Sequence, residues 1–136
     1  MLVNVGQACL KPAILLAVDG PGFEALKIAM IARVEAVHAR TMRTPGIHQA
    51  YRKNVDRMRQ AGAAQIARGP SGESAWDGQS LLFEVSGAPM FGEPSLSDEV
   101  FGPSATTCSL HVPHGEWGMS GPAGYTLRQT IQINSQ

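Results

Sequence analysis

Hydrophobic and polar positions follow two periods along this chain. The run Ile14-Leu15-Leu16-Ala17-Val18 is wholly apolar and bounded by Pro12 and Asp19-Gly20, which predicts a buried strand inside a sheet. Asp19 and Pro21 then give start signals for a helix, and Phe23, Leu26, Met30, Val34 and Val37 recur at steps of three and four, predicting one core-facing stripe. Thr44-Pro45-Gly46 interrupts this pattern. A second helix is predicted beyond it, with Ile47, Ala50, Tyr51, Val55 and Met58 inward, Arg52, Lys53, Arg57 and Arg59 largely elsewhere, and Gly62 as its end.

Residues 64–67 suit a brief strand, and the Gly, Pro and Ser between 69 and 78 have the composition of a loop. Residues 81–85 form the next predicted strand, a short helical or irregular stretch reaches Ser97, and residues 105–110 make the last strand. Strands separated by helices point to an α/β fold: a mainly parallel sheet with flanking helices, whose ligands sit beyond strand ends. From His111 onward Gly and Pro punctuate a segment with little periodicity, so 111–136 reads as an irregular tail, with alternation enough for a weak strand only over 125–133. No internal repeat is present.

Composition narrows the class. A chain of 136 residues with 43% apolar and 16% charged content is long enough for one domain with a sizeable core. Eleven basic and eleven acidic residues cancel, but residues 33–68 hold eight basic against two acidic while 73–136 hold one against seven, giving about +6 and −6. Such asymmetry marks either a polyanion-binding face or, more commonly, two solvated surfaces that attract each other. Only Tyr51 interleaves the basic run, and without a stacking platform or motif no nucleic-acid partner is expected. The longest plainly apolar run, 13–18, falls far short of the roughly twenty residues that span a bilayer, and the start lacks a charged leader region, so no membrane partner is expected. Two cysteines, Cys9 and Cys108, make no disulfide framework and read as thiols of a cytoplasmic protein.

Several residues could carry chemistry. Taken alone, Cys9 beside an apolar run is more often an inert buried thiol than a nucleophile. Cys108, His111 and His114 stand at three-residue intervals and with a fourth ligand could hold zinc, but Pro113 interrupts any helix that would align them, and no metal is expected. A Cys9 and histidine pair acting as a thiol hydrolase lacks any signature around His38, His48, His111 or His114. Gly69-Pro70-Ser71-Gly72-Glu73 lacks the lysine and spacing of a phosphate loop and reads as a surface connection.

Two strings change this balance. Val5-Gly6-Gln7-Ala8-Cys9-Leu10-Lys11-Pro12 is followed, ninety residues after the cysteine, by Glu99 in Asp98-Glu99-Val100-Phe101-Gly102-Pro103. Their order and separation resemble aldehyde dehydrogenases, over roughly residues 3–107. Lys11-Pro12, Asp19-Gly20-Pro21-Gly22 and Gly46-Ile47-His48-x-Ala50-Tyr51-Arg52 are most similar to the bacterial branch that oxidises 2-oxoglutarate semialdehyde (2,5-dioxopentanoate). The resemblance implies that Cys9 is the nucleophile and that its backbone N–H helps hold the oxyanion. It implies that Glu99 accepts hydrogen bonds from the nicotinamide ribose of NAD or NADP, that the Phe101 ring borders the nicotinamide, and that Gly102 and Pro103 shape the turn.

In that family the oxyanion asparagine, the dinucleotide-binding domain and the general-base glutamate of a Glu-Leu-Gly-Gly string precede the cysteine loop. Residues 1–110 are therefore expected to be part of an aldehyde dehydrogenase catalytic domain that does not turn over a small aldehyde alone, and the tail to be the product of a shifted reading frame. Apolar surface left uncovered in such a fragment predicts self-association. The alternative, from a different class, is a non-catalytic remnant or interaction protein that keeps the α/β core.

Overall fold

In a computed structural model, residues 3–8 and 11–111 are described. After a turn at Val3–Gly6, the elements are β1 (Ile14–Val18), α1 (Pro21–Glu35), β2 (Arg40–Thr41), α2 (Pro45–Gln60), β3 (Ala64–Arg68), β4 (Asp77–Gly78), β5 (Leu81–Ser86), α3 (Gly87–Gly92), α4 (Pro94–Ser97) and β6 (Ser104–Leu110). Four strands form one sheet in the order β1-β6-β5-β3. β6 lies between β1 and β5 and is parallel to both, pairing Leu16 with Cys108 and Phe83 with Thr106. β3 runs antiparallel to β5, with a shift of register between Gln65 and Ala67. The expected mainly parallel α/β architecture is present.

The pleat sorts side chains between two cores. Leu81, Phe83 and Val85 of β5 join Cys108 and Leu110 of β6 on the face covered by Tyr51, Val55 and Met58 of α2 and by Met90 and Leu96 of the short helices. Leu82 of β5 and Ala105 of β6 meet Val34, Met30 and Ile31 of α1 on the opposite face. Successive residues of a strand point to opposite faces, so a run such as 81–85 is apolar almost throughout because both faces are covered. Fully buried Thr107 keeps its hydroxyl satisfied by donating to the Phe83 carbonyl oxygen at 3.1 Å.

Several expectations need correction. β1 is an edge strand of the described sheet and is only half-buried, because its run of apolar residues pairs on one side alone. On α1, Phe23 and Val34 are buried but Leu26 is 44% exposed, and Ile28, at 66%, points further out; the helix is apolar nearly all round while the sheet covers one side. Ala50 of α2 is likewise exposed. Thr44-Pro45-Gly46 is the start of α2 rather than a mere break: the Thr44 hydroxyl accepts the Ile47 N–H at 3.2 Å, and Pro45 occupies the first turn. The two-residue ribbon of β2 and β4 was not expected within the loop region. No helix among the described residues is long and apolar enough to cross a membrane. The tail, including His114 and the weak strand at 125–133, lies outside the described residues apart from His111.

Candidate functional site

The segment between α4 and β6 alternates. Val100 points into the core and is buried, whereas Glu99 is exposed and the Phe101 ring is 41% exposed; Gly102 and Pro103 are buried again. Two backbone bonds fix the turn: the Leu81 N–H donates to the Pro103 carbonyl at 3.0 Å, and the Ser104 N–H to the Gly102 carbonyl at 2.8 Å. Gly102 adopts φ 147°, and a Cβ there would strike the Tyr51 ring.

The loop that carries Cys9 lies against this turn. Gly6, at φ 65°, approaches it so closely that a Cβ would collide with the carbonyl group of Gly102 and reach the Pro103 nitrogen. From the other side of the cysteine, Lys11 Nζ donates to the carbonyl oxygens of Val100 and Gly102, each at 2.8 Å. Burial lowers the Lys11 pKa from 10.5, partly opposed by the negative charge of Glu99. The preceding turn is wound left-handed, with Asn4 at φ 49° and Val5 at φ 58°. For a β-branched valine that conformation is unusual and strained. Gln7 braces the loop by accepting the Arg43 N–H at 3.0 Å, and the Lys11 N–H donates to the Ala8 carbonyl at 3.1 Å.

Cys9 itself lies outside the described residues. Residues on both sides of it, Gly6 and Lys11, touch the segment that contains Phe101, so the two strings recognised in the sequence share one neighbourhood. Sequence reasoning set Tyr51 on the inward face of α2 and Lys11 in the first string, but gave neither a part in holding the Phe101 turn. The lysine was visible within the first string, but its partners are 89 and 91 positions away, a contact that periodicity does not encode.

The competing sites fare differently. Cys108 is completely buried inside β6, and burial, followed by the charge of Asp19, raises its thiol pKa. His111 is exposed, with Nδ1 3.8 Å from Asp19 Oδ2, and the described residues gather no metal-binding group of three His, Cys, Asp or Glu side chains. His48 is buried edge-on against Trp76, with ring centroids 5.9 Å apart, while His38 is exposed.

No protein-family model matches the chain. In sequence it is 30% identical over 106 residues to alpha-ketoglutaric semialdehyde dehydrogenase 2 of Azospirillum brasilense, a match covering 77% of this chain and 20% of that protein. It is 29% identical over 110 residues to alpha-ketoglutaric semialdehyde dehydrogenase of Acinetobacter baylyi, covering 79% and 21%. The chain thus spans about a fifth of the length of the curated relatives it matches. Among solved structures, methylmalonate-semialdehyde dehydrogenase from Oceanimonas doudoroffii aligns with 97% of this chain and 27% of its own, at a TM-score of 0.69 and 14% identity. An aldehyde dehydrogenase from Bacillus cereus aligns with 82% and 24%, at 0.68 and 13%. At such identities the structural likeness shows the fold. In sequence and in fold, the chain is similar to a portion of the aldehyde dehydrogenases, as its two strings implied.

Proposed function

We propose that residues 3–107 form the nucleophile side of an NAD(P)-dependent aldehyde dehydrogenase site, with 2-oxoglutarate semialdehyde as the substrate. The observation that carries this reading is the double contact of the cysteine loop, through Gly6 and Lys11, with the turn bearing Glu99 and Phe101. In the proposed reaction the Cys9 thiolate adds to the aldehyde carbon. The carbonyl electron pair moves onto oxygen, where the Cys9 backbone N–H is a fixed donor. NAD or NADP, when bound, supplies the hydride acceptor. An exposed carboxylate and an exposed ring on one rigid turn are the groups such a cofactor needs: Glu99 to accept from ribose hydroxyls, Phe101 to cover an apolar ring face. Lys11 and Tyr51 keep that turn in place, and the buried Val100 between the two site residues anchors it to the core.

Release of the acid requires a water activated by a general base, and no Glu-Leu-Gly-Gly string occurs in these 136 residues. We therefore propose that turnover depends on parts of the family fold beyond this segment. The test is an exchange: residues 3–107 replace the matching segment of the Azospirillum brasilense enzyme, and NAD(P)H formation from 2-oxoglutarate semialdehyde is followed. The exchanged enzyme is expected to be active and its Cys9→Ala form inactive, while the purified chain alone forms no NAD(P)H. A folded exchanged enzyme, judged by circular dichroism, that lacks activity would favour the non-catalytic remnant.

The uncovered apolar groups support a second part of the proposal. Leu26 and Ile28 on α1 and Phe91 on α3 are 44%, 66% and 42% exposed, and we infer that the isolated chain self-associates through such surface.

A further inference from the structure

Most of the basic run of residues 33–68 lies away from the site above, to which it gives the Arg43 N–H and the Tyr51 ring. Three of its arginines, Arg52 and Arg59 of α2 and Arg68 at the end of β3, line a cleft of about 350 Å³ together with Tyr51 and Leu81. That volume lies in the range of small-molecule sites.

The charges in the cleft do not cancel evenly. Asp56 also lines it, but its Oδ1 accepts from Arg59 Nη1 at 2.9 Å. Asp77 lines it as well, and its two oxygens accept from the Thr41 hydroxyl at 2.7 Å and the Ser74 N–H at 3.0 Å. Arg59 is further engaged through Nη2, which donates to Gln65 Oε1 at 2.7 Å. Both carboxylates thus have donors, and one of the three guanidinium groups is neutralised by a carboxylate.

Arg68 is held differently. Its Nε donates to Gln79 Oε1 at 2.7 Å, and Gln79 Nε2 donates in turn to the Gly69 carbonyl at 2.6 Å. A neutral amide anchored to the backbone thereby fixes one edge of the guanidinium without consuming its charge. Its two amino groups have no hydrogen-bond acceptor among the described residues, and neither has Arg52. A planar fork already oriented before a ligand arrives loses little freedom on binding, and its spacing matches two oxygens of a carboxylate or phosphate.

We propose that this cleft is a binding site for a small oxyanion, a phosphate or carboxylate group, held by Arg68 and Arg52 and separate from the Cys9, Glu99 and Phe101 site. The Tyr51 hydroxyl adds no negative charge. It is neutral, donates to the Gln79 carbonyl at 2.7 Å, and burial keeps its pKa far above the usual phenol range.

The experiment titrates the purified full chain with inorganic phosphate and, separately, with citrate at low salt, following the Arg68 Nε–H and Gln79 side-chain amide signals by NMR. Saturable shifts with a Kd on the order of 1 mM are expected. Stronger response to phosphate assigns a phosphorylated ligand, and stronger response to citrate a carboxylate. Arg68→Gln and Arg52→Gln are each expected to weaken binding about tenfold, an effect that Arg33→Gln, outside the cleft, does not produce. Linear, unsaturated shifts up to about 20 mM with both anions would overturn the site. Equal weakening by Arg33→Gln would also overturn it, because diffuse positive charge would then be the cause.

Discussion

Lys11 Nζ donates to the Gly102 carbonyl oxygen at 2.8 Å and, with an equal bond to Val100, straddles the residue between them, Phe101. Two residues after the candidate nucleophile, one ammonium group therefore ties its loop to the candidate cofactor turn.

Replacing that ammonium with a chain of similar length tests the tie. Lys11→Met removes two charge-assisted bonds, offset in part by the desolvation cost of the buried charge. A net loss of about 1–2 kcal/mol is expected from urea unfolding at neutral pH. The effect depends on pH. Because the folded-state pKa of Lys11 is lowered below 10.5, the unfolded chain binds more protons in the window between the two values. Stability contributed at Lys11 therefore rises with pH up to 10.5, and the gap between wild type and Lys11→Met should widen there. A gap that narrows as pH rises through that window contradicts the arrangement.

Close backbone packing makes a second prediction at the same contact. Gly6→Ala forces a side chain into Gly102 from a left-handed position, and Gly102→Ala forces one into the Tyr51 ring. Each is expected to lower stability by roughly 2–4 kcal/mol, combining overpacking with backbone strain. Thermal unfolding measured for both, with Gly22→Ala as a control at a glycine with open space, checks it.

The two thiols should behave unequally. Cys108 is buried with a raised pKa, so it stays protonated and shielded at neutral pH. Alkylation followed by peptide mass spectrometry is expected to label Cys9 quickly and Cys108 only after denaturation. Fast labelling of Cys108 in the native chain would refute its place in the core.

Self-association has its own measurement. Ile28→Asp puts a charge on the most exposed of the large apolar side chains among the described residues. If the outer surface of α1 joins copies of the chain, light scattering at high concentration should show a smaller particle for Ile28→Asp than for wild type. A wild-type chain that stays monomeric removes this part of the proposal.

Much of the architecture was legible because its elements bury apolar residues at a regular period. Phe23 and Val34 announce α1, Tyr51, Val55 and Met58 announce α2, and the 81–85 run announces a strand covered on both faces. Arg40 and Thr41 of β2 are both exposed, so nothing in their hydropathy marks a strand. The antiparallel direction of β3 and the edge position of β1 are properties of assembly order, which local pattern leaves open. For the site, the two strings could be recognised as strings. The Lys11 tie and the Arg68–Gln79–Gly69 chain could not, since each depends on side chains meeting only after folding.

Tyr51 stands where the two neighbourhoods meet. One part of its ring abuts Gly102, while its hydroxyl reaches Gln79, the residue that steadies Arg68. The halves of this side chain can be separated chemically: Tyr51→Phe keeps the wedge behind the turn and severs the link to the arginine cleft, whereas Tyr51→Ala abolishes both. A single aromatic residue thus serves as a party wall, and comparing its two replacements reveals whether either chamber feels what happens in the other.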